Sequence, residues 1–208
     1  MNASDPGARG HWDQAYIQKG PAGVSWFEEV PTVSLDLIKA LPGLKDSLID
    51  VGGGASRLAA HALRLGFDHV AVLDLSAEAI ARSRAAVGSD ADRVEWIVSD
   101  VTIWKPGRRY DVWHDRAAFH FLTEEVDRAA YVARLDAALS DAGHAIIATF
   151  ALDGPERCSG LPVRRYSPEA LVETLGPRFR LVHGVRHEHR TPWGSTQAFQ
   201  FSVLARAA

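Results

Sequence analysis

The feature that most constrains the fold is an alternation of short apolar runs with amphipathic segments, which begins at Ser47. The apolar runs have the length and composition of buried strands; they are SLIDV, HVAVLDL, VEWIV, YDVWH and GHAIIATFA. Segments such as SAEAIARSRAAVG and TEEVDRAAYVARLDAALS, which separate these runs, have helical periodicity. Strands separated by helices form βαβ units, which build a mainly parallel sheet covered by helices on both faces.

The end of the chain follows a different pattern. After the predicted helix SPEALVETLG, the segments FRLVHGVRHEH and STQAFQFSVLA are both strand-like, and only RTPWG joins them. This link is too short for a crossover helix, so the two strands form an antiparallel hairpin. We therefore predict an α/β fold with a doubly wound, mainly parallel seven-stranded sheet and a C-terminal antiparallel hairpin, which is a Rossmann-like architecture.

Composition narrows the function classes. With 208 residues, 47% of them apolar, the chain is long enough for one domain with a substantial core. The 23 basic and 26 acidic side chains give a net charge of -3, which offers no electrostatic basis for broad nucleic-acid binding. Cys158 is the single cysteine, no apolar run is long enough to span a bilayer, and MNASDPGARG has no secretory-signal pattern. We expect a cytoplasmic protein that has no membrane or nucleic-acid partner.

A glycine-rich turn follows the first predicted strand in LIDVGGGASRL. Doubly wound sheets bind ligands beyond the carboxyl ends of their strands, where glycine lets the backbone approach a ligand. Gly52, Gly53 and Gly54 lie in this turn. The dinucleotide fingerprint G-x-G-x-x-G requires a further glycine where this chain has Arg57, which weakens the case for a dehydrogenase.

Two carboxylates end the next two predicted strands. Asp74 follows Gly54 by twenty residues, where a carboxylate can accept hydrogen bonds from ribose hydroxyls. Asp100 ends the third strand in WIVSDVT. The glycine turn and these acids together indicate a nucleoside-containing ligand.

The order LIDVGGGASRL, VAVLDLS, VEWIVSDVT and YDVWHDRAAFHFL resembles the class I S-adenosylmethionine-dependent methyltransferases over about residues 11–206. The resemblance implies S-adenosylmethionine as cofactor. It also implies that the glycine turn supports the methionine part, that the acid ending strand two holds the ribose, and that the acid ending strand three meets the adenine amino group. The implied cofactor-binding residues are Trp12, Tyr16, Trp26, Gly52, Gly54, Arg57, Asp74, Leu75, Asp100, Val101 and Arg116.

The segment YDVWHDRAAFHFL resembles two groups within this class. Thiopurine and small-thiol methyltransferases have a WDRGAL-like stretch here, and small protein-lysine methyltransferases acting on elongation factor have a DKGT-like one. Asp115 and Arg116 match the shared charged pair, whereas Ala117 departs from the glycine. The resemblance makes Arg116 a candidate partner of the cofactor carboxylate. The alternative is an ion pair with Asp115 or with a helix carboxylate.

The aromatic residues ahead of the first strand resemble the lid of the same groups. The pattern W-x-x-x-Y followed by VSWF implies that Trp12, Tyr16 and Trp26 close over the cofactor, where ring faces attract a sulfonium. The alternative is that these rings are ordinary core residues. We expect a single methyltransferase domain over residues 1–208, with a helical lid in 1–45 and the Rossmann-like core in 46–208.

Three residues near the end of the fourth strand are candidate acid–base catalysts. His120, Asp115 and His114 are placed where a base helps if the acceptor arrives protonated. A hydrogen-bonded structural role is the alternative for each of them.

The terminal hairpin contributes two more histidines. His187 and His189 are two residues apart and therefore share one face of a strand. No ligand spacing here is diagnostic of a metal, so we predict no metal site. We expect both histidines to line the acceptor pocket or its rim, together with Arg190 and Trp193.

The resulting hypothesis is an S-adenosylmethionine-dependent methyltransferase that acts on a small-molecule acceptor. A protein-lysine methyltransferase is the first alternative, although the eight arginines and four glutamates from Glu156 onward do not suit a cationic substrate. An NAD-dependent oxidoreductase and an inactive cofactor-binding module are the other two. Preference for S-adenosylhomocysteine over NAD, and consumption of cofactor, would separate these last two from an active methyltransferase.

Overall fold

The computed structural model describes residues 6–19, 23–43 and 45–207, and the side chains of 6–8 and 19 are not among the described ones. The predicted domain and lid also include residues 1–5, 20–22, 44 and 208, which lie outside the described residues. The helices are α1 (Pro6–Lys19), α2 (Thr32–Ala40), α3 (Leu58–Arg64), α4 (Ala77–Val87), α5 (Glu125–Ala138) and α6 (Pro168–Leu175). The strands are β1 (Ser47–Val51), β2 (His69–Asp74), β3 (Val94–Val98), β4 (Tyr110–Arg116), β5 (Leu139–Phe150), β6 (Arg157–Cys158), β7 (Leu161–Pro162), β8 (Phe179–Arg190) and β9 (Thr196–Arg206).

Seven of these strands form one sheet in the order β3-β2-β1-β4-β5-β9-β8. The pairs among β1 to β5 are parallel, and β9 pairs antiparallel with both β5 and β8. The predicted fold is therefore confirmed. Since the chain runs from β1 through β2 to β3 on one side and then to β4 and β5 on the other, a crevice forms at the carboxyl ends of β1 and β4.

Helix boundaries follow the capping residues that the sequence indicates. The Ser76 hydroxyl accepts a hydrogen bond from the Ala79 amide at 3.1 Å, and Gly88, with φ of +71°, ends α4. The Ser167 hydroxyl caps α6 in the same way, with Pro168 at the first helical position. Both carboxyl-terminal hairpin strands also form where the sequence pattern places them.

Three local features differ from the sequence pattern. Helix α5 ends at Ala138, two residues earlier than predicted, because Leu139 already pairs with Tyr110 in the sheet. It begins at Glu125, two residues after the start of the predicted segment, and has no side-chain cap. The hairpin of β6 and β7 was not predicted, since strands of two residues have no detectable periodicity.

The sheet carries a hydrophobic cluster on each face. On β1, Leu48 packs into the cluster that includes Ile38 of α2, whereas Ile49 packs into the one that includes Tyr131 of α5. This alternation follows from the two-residue period of a strand. It places Asp50, two residues after Leu48, on the face covered by α2. Among the helices of the described part of the chain, none is long and apolar enough to cross a membrane.

Candidate active site

A pocket of about 1020 Å³, including its mouth, opens at the carboxyl ends of the parallel strands. Nine of the eleven predicted cofactor-binding residues line it: Trp12, Tyr16, Trp26, Gly52, Asp74, Leu75, Asp100, Val101 and Arg116. The structure thus brings together residues from α1, the segment before α2, and the ends of β1, β2, β3 and β4.

The glycine turn after β1 is packed too tightly for side chains. Gly52 has φ of +66°, and a Cβ atom there would lie 2.5 Å from the Cβ of Ala118. A Cβ atom on Gly54 would lie 2.7 Å from the Tyr16 hydroxyl oxygen. Gly54 is not a lining residue, but its amide donates to Asp74 Oδ2 at 2.9 Å. The turn therefore supports both the ring of Tyr16 and the carboxylate of Asp74.

Asp74 is fixed by two backbone donors at the end of β2. Its Oδ1 accepts from the Ser76 amide at 2.8 Å, and its Oδ2 accepts from Gly54. Burial raises the pKa of Asp74 to about 6, against the lowering effect of those two hydrogen bonds. Each carboxylate oxygen accepts more than one hydrogen bond, so Asp74 retains acceptor capacity toward the pocket.

Asp100 carries an acceptor atom without a partner. Its Oδ1 accepts from the Thr102 amide at 2.8 Å and from the Thr102 hydroxyl at 2.7 Å. Its Oδ2 is buried and has no hydrogen-bond partner among the described residues. Buried polar atoms in native proteins are almost always paired, so this oxygen calls for a donor from a bound ligand or from water.

Four rings, which we call the ring cluster, form one side of the pocket: Trp12, Tyr16, Trp26 and Phe121. The ring centroids of Trp12 lie 5.9 Å from Trp26 and 4.9 Å from Phe121, in edge-to-face geometry. Helix α1 is held in place at its other side by Asp13, whose carboxylate accepts from the Ser76 hydroxyl at the start of α4. The ring cluster is therefore fastened to the Rossmann-like core.

Within the protein, Arg116 pairs neither with Asp115 nor with a helix carboxylate. Its Nη1 donates to the Trp26 carbonyl at 2.7 Å, and its Nη2 lies 3.1 Å from Glu28 Oε1. The guanidinium carbon also lies 5.2 Å from the centroid of the Phe199 ring. Arg116 thus links the segment before α2 to the terminal hairpin while it lines the pocket.

A second cavity of about 490 Å³ adjoins the first and shares Tyr16, Trp26, Gly52 and Arg116 with it. It contains a buried polar chain in which His114 Nδ1 lies 2.7 Å from Asp50 Oδ1 and His114 Nε2 lies 2.9 Å from the Ser34 hydroxyl. The other Asp50 oxygen, Oδ2, is buried without a partner among the described residues. His114 therefore lines this second cavity and not the first one.

Asp115 holds the turn that follows β4. It accepts hydrogen bonds from the Ala118 and Phe119 amides and, at 2.7 Å, from the Tyr131 hydroxyl. Burial raises the pKa of Asp115 to about 6, although these donors act to lower it. Ala117, in the same turn, has φ of +68°, a left-handed conformation that favours glycine. Glycine, which the two resembling groups have at that position, would adopt this conformation at less cost.

His120 is fully buried between aromatic rings, 4.5 Å from the Phe121 ring and 4.8 Å from the Phe150 ring. Burial lowers its pKa to about 3, so the ring is neutral at ordinary pH. Neither ring nitrogen has a hydrogen-bond partner within the described part of the chain. His120, like Asp115 and His114, is not a lining residue of the larger pocket.

The remaining predicted residues lie away from the pocket lining. Arg57 Nε is 3.4 Å from Glu29 Oε2, and its guanidinium carbon is 5.9 Å from the centroid of the Phe27 ring. Trp193 is 60% exposed in the hairpin loop, and Arg190 is exposed. Among the residues lining the two cavities, neither Arg190 nor Trp193 occurs, and neither do His187 and His189.

Several residues of the site were not predicted. They are Ser34, Asp50 and Glu28 of the second cavity, and Ser99, Phe121, Leu122, Thr123, Leu161 and Pro162 of the first. Two of them could have been found from the sequence, because a polar residue in apolar surroundings often marks a site. These are Asp50 in the apolar run SLIDV and Ser34 among the buried residues of α2. Glu28, Leu161 and Pro162 reach the site only through long-range packing.

Comparisons with known proteins agree with the geometry. Residues 48–143 match the family model of a methyltransferase domain. A comparison with curated protein sequences gives no match.

Three solved structures are similar over nearly the whole chain. An S-adenosylmethionine-dependent methyltransferase from Anabaena variabilis has a TM-score of 0.77 at 16% identity, covering 98% of this chain and 96% of its own. A protein from a study of the conversion of a disulfide bond into a thioacetal group during echinomycin biosynthesis has a TM-score of 0.74 at 20% identity, covering 96% and 93%. The 1,6-didemethyltoxoflavin-N1-methyltransferase of Burkholderia thailandensis, solved with S-adenosylhomocysteine, has a TM-score of 0.68 at 20% identity, covering 97% and 85%.

The family-model match and the shared fold confirm the resemblance to the class I S-adenosylmethionine-dependent methyltransferases. The predicted enzyme class and the predicted cofactor agree with the family-model match.

Proposed function

We propose that this S-adenosylmethionine-dependent methyltransferase methylates a small, largely apolar acceptor. The observation that carries this proposal is the chemistry of the pocket near β6 and β7, where Phe121, Leu122, Leu161 and Pro162 contribute apolar surface. Among the described residues that line the pocket, Asp74 and Asp100 are the carboxylates, and both lie at the strand ends assigned to the cofactor. A cationic lysine side chain would therefore meet no carboxylate beside the apolar residues.

The extent of the pocket lining supports the same proposal. The lining runs from Asp74 and Asp100 at the strand ends to Leu161 and Pro162 of β7, so the cofactor and a small acceptor can lie side by side. The methyltransferase that acts on 1,6-didemethyltoxoflavin, one of the similar structures, also has a small acceptor.

The residues on the pocket wall suit the cofactor. Bound S-adenosylmethionine supplies a methyl group on a reactive sulfonium. In this proposal Asp74 accepts hydrogen bonds from the ribose hydroxyls, and the unpaired Oδ2 of Asp100 accepts from the adenine amino group. Arg116 and the unpaired Oδ2 of Asp50 face the second cavity, where they suit the carboxylate and the ammonium of the methionine part.

The chain's contribution to the reaction is mainly alignment. The ring cluster excludes water from the pocket and presents ring faces to positive charge. Catalytic roles for His120, Asp115 and His114 stay predictions, and the structure places all three outside the lining of the larger pocket. We therefore propose an acceptor that is nucleophilic without deprotonation by the protein, such as a thiolate or an aromatic ring nitrogen.

Cofactor binding is tested by calorimetric titration of S-adenosylmethionine, S-adenosylhomocysteine and NAD. Asp74→Ala should weaken binding of both sulfur compounds by at least about tenfold, because a hydrogen bond to a charged group contributes roughly 1.5–3 kcal/mol. Asp68→Ala is the matched control, since Asp68 is an exposed carboxylate just before the other end of β2. Binding of NAD alone, or equal losses in the two variants, would contradict the site assignment.

The acceptor class is tested by release of S-adenosylhomocysteine with thiols, phenols, aromatic nitrogen heterocycles and lysine peptides. We expect turnover with a small acceptor, and a raised KM for it in Leu161→Glu, which places a carboxylate beside the apolar residues. Leu152→Glu is the control, because Leu152 is 61% exposed and does not line the pocket. Transfer to lysine peptides alone would support the protein-lysine alternative, and no turnover with any acceptor would support an inactive module.

A further inference from the structure

Two histidines and one glutamate meet beside the second cavity, and nothing in the proposed function uses them together. Ligand atoms of Glu28, His187 and His189 all lie within 4.8 Å of one another. Glu28 comes from the segment before α2, and both histidines come from the edge strand β8. His187 and His189 therefore lie on one face of β8, as their spacing predicts, and Glu28 lies next to both of them.

The hydrogen bonds of His189 decide which of its nitrogens is available. His189 Nε2 lies 2.7 Å from the Ser25 carbonyl oxygen, which can only accept, so Nε2 carries a hydrogen. In the neutral ring, Nδ1 then presents a lone pair, and it lies 3.2 Å from Glu28 Oε1. A lone pair facing a carboxylate at this distance is repulsive, so either a proton or a metal ion must lie between the two atoms.

We propose that Glu28, His187 and His189 form a binding site for one divalent transition-metal ion of the zinc type. Two imidazoles and one carboxylate are a ligand set of zinc, whereas calcium and magnesium prefer oxygen ligands alone. A backbone carbonyl that accepts from the other ring nitrogen, as Ser25 does for His189, is the usual partner of a metal-binding histidine.

The ligand atoms, which lie within 4.8 Å of one another, need only small shifts to bind one ion. Zinc ligands at about 2.0–2.1 Å in tetrahedral geometry are roughly 3.4 Å apart, close to the 3.2 Å between His189 Nδ1 and Glu28 Oε1. His187 is only half-buried, so its ring can rotate inward, and a fourth position stays open to water. Arg116 contacts Glu28 through Oε1, as His189 does, and neither of these two contacts uses Oε2, so one carboxylate can serve both cations.

The site would tie two distant parts of the chain together. It would join the segment before α2, which carries Trp26 of the ring cluster, to the terminal hairpin. The ion would thereby stabilise the folded chain by an amount that grows with the ratio of its free concentration to its Kd.

The test is titration of Zn²⁺ and Co²⁺ into the chelator-treated full chain without cofactor, followed by calorimetry, by Co²⁺ absorption and by the Tm. We expect one ion per chain, a raised Tm, and a loss of affinity of more than about tenfold in Glu28→Gln and in His187→Asn. His187→Asn is the safer variant for folding because the residue is only half-buried. His183→Asn is the matched control, since His183 is an exposed histidine on the same strand outside the cluster.

Two outcomes would overturn the proposal. One is the absence of saturable binding in the wild type, with nitrogen NMR showing both ring nitrogens of His189 protonated, which would make the cluster an ion pair of imidazolium and carboxylate. The other is binding that His183→Asn weakens as much as His187→Asn does, which would indicate an unspecific histidine surface. Neither outcome depends on S-adenosylmethionine, so failure here is separate from failure of the proposed function.

Discussion

The protonation state of Asp74 should make cofactor binding depend on pH. Ribose hydroxyls donate hydrogen bonds, so they bind to the ionised carboxylate and not to the protonated one. Burial raises the pKa of Asp74 to about 6 in the free protein. Cofactor affinity should therefore be full above this pKa and decline as the pH falls through it.

The magnitude follows from the ionised fraction. With a pKa of about 6, Asp74 is about nine-tenths ionised at pH 7 and about one-tenth ionised at pH 5. An apparent Kd rises in inverse proportion to the binding-competent fraction, so the Kd should be about tenfold higher at pH 5 than at pH 7. S-adenosylhomocysteine is the suitable ligand, because its own charge stays constant in this pH range, which lies between the pKa values of an α-carboxyl and an α-amino group.

The assay is calorimetric titration of S-adenosylhomocysteine between pH 5 and pH 7.5, with circular dichroism to show that the fold is unchanged. Asp74→Asn has a similar shape but no charge to titrate, so it should bind more weakly at pH 7 and lose most of the pH dependence. A flat profile in the wild type would refute the reasoning. So would a tenfold change that Asp74→Asn retains, because another group would then be responsible.

Three further predictions concern the surroundings of the pocket. Ala117→Gly should raise the Tm by roughly 1–4 °C, because the left-handed conformation costs a non-glycine residue about 1–2 kcal/mol. Ala118→Gly, at a negative φ, should lower the Tm in the same thermal scan. A lower Tm in both variants would contradict this reasoning. Asp13→Ala should weaken S-adenosylhomocysteine binding by up to about tenfold, because α1 loses its hydrogen bond to the start of α4. An unchanged affinity in calorimetry would show that the ring contacts alone hold α1. Tyr131→Phe should lower the free energy of unfolding, measured in urea, by about 1–3 kcal/mol, because Asp115 loses a buried hydrogen-bond donor. A change below about 0.5 kcal/mol would mean that water replaces the hydroxyl.

The fold was predictable because its determinants are local. The apolar runs from Ser47 onward, the cap Ser76 and the stop Gly88 lie within the elements they define. The end of α5 was not predictable in this way. The residues after Ala138 continue a helical pattern, but Leu139 pairs with Tyr110 in the sheet. Pairing between strands is a long-range contact that local periodicity does not report.

The cofactor side of the site was predictable for a related reason. Parallel strands bring their carboxyl ends together, so residues such as Gly52, Asp74 and Asp100 are positioned by topology. Glu28 and Asp13 act through partners far away in the chain, Arg116 and Ser76, and no spacing in the sequence signals such pairs.

The contact between Asp13 and Ser76 has a consequence for the order in which the molecule assembles. Asp13 lies 63 residues before its partner, so α1 leaves the ribosome well before its docking site exists. The other surface that α1 contacts, around Phe121, is synthesised later still. One wall of the cofactor pocket is thus made first and positioned last, and a nascent chain should be unable to retain cofactor until β4 and the turn after it have joined the sheet.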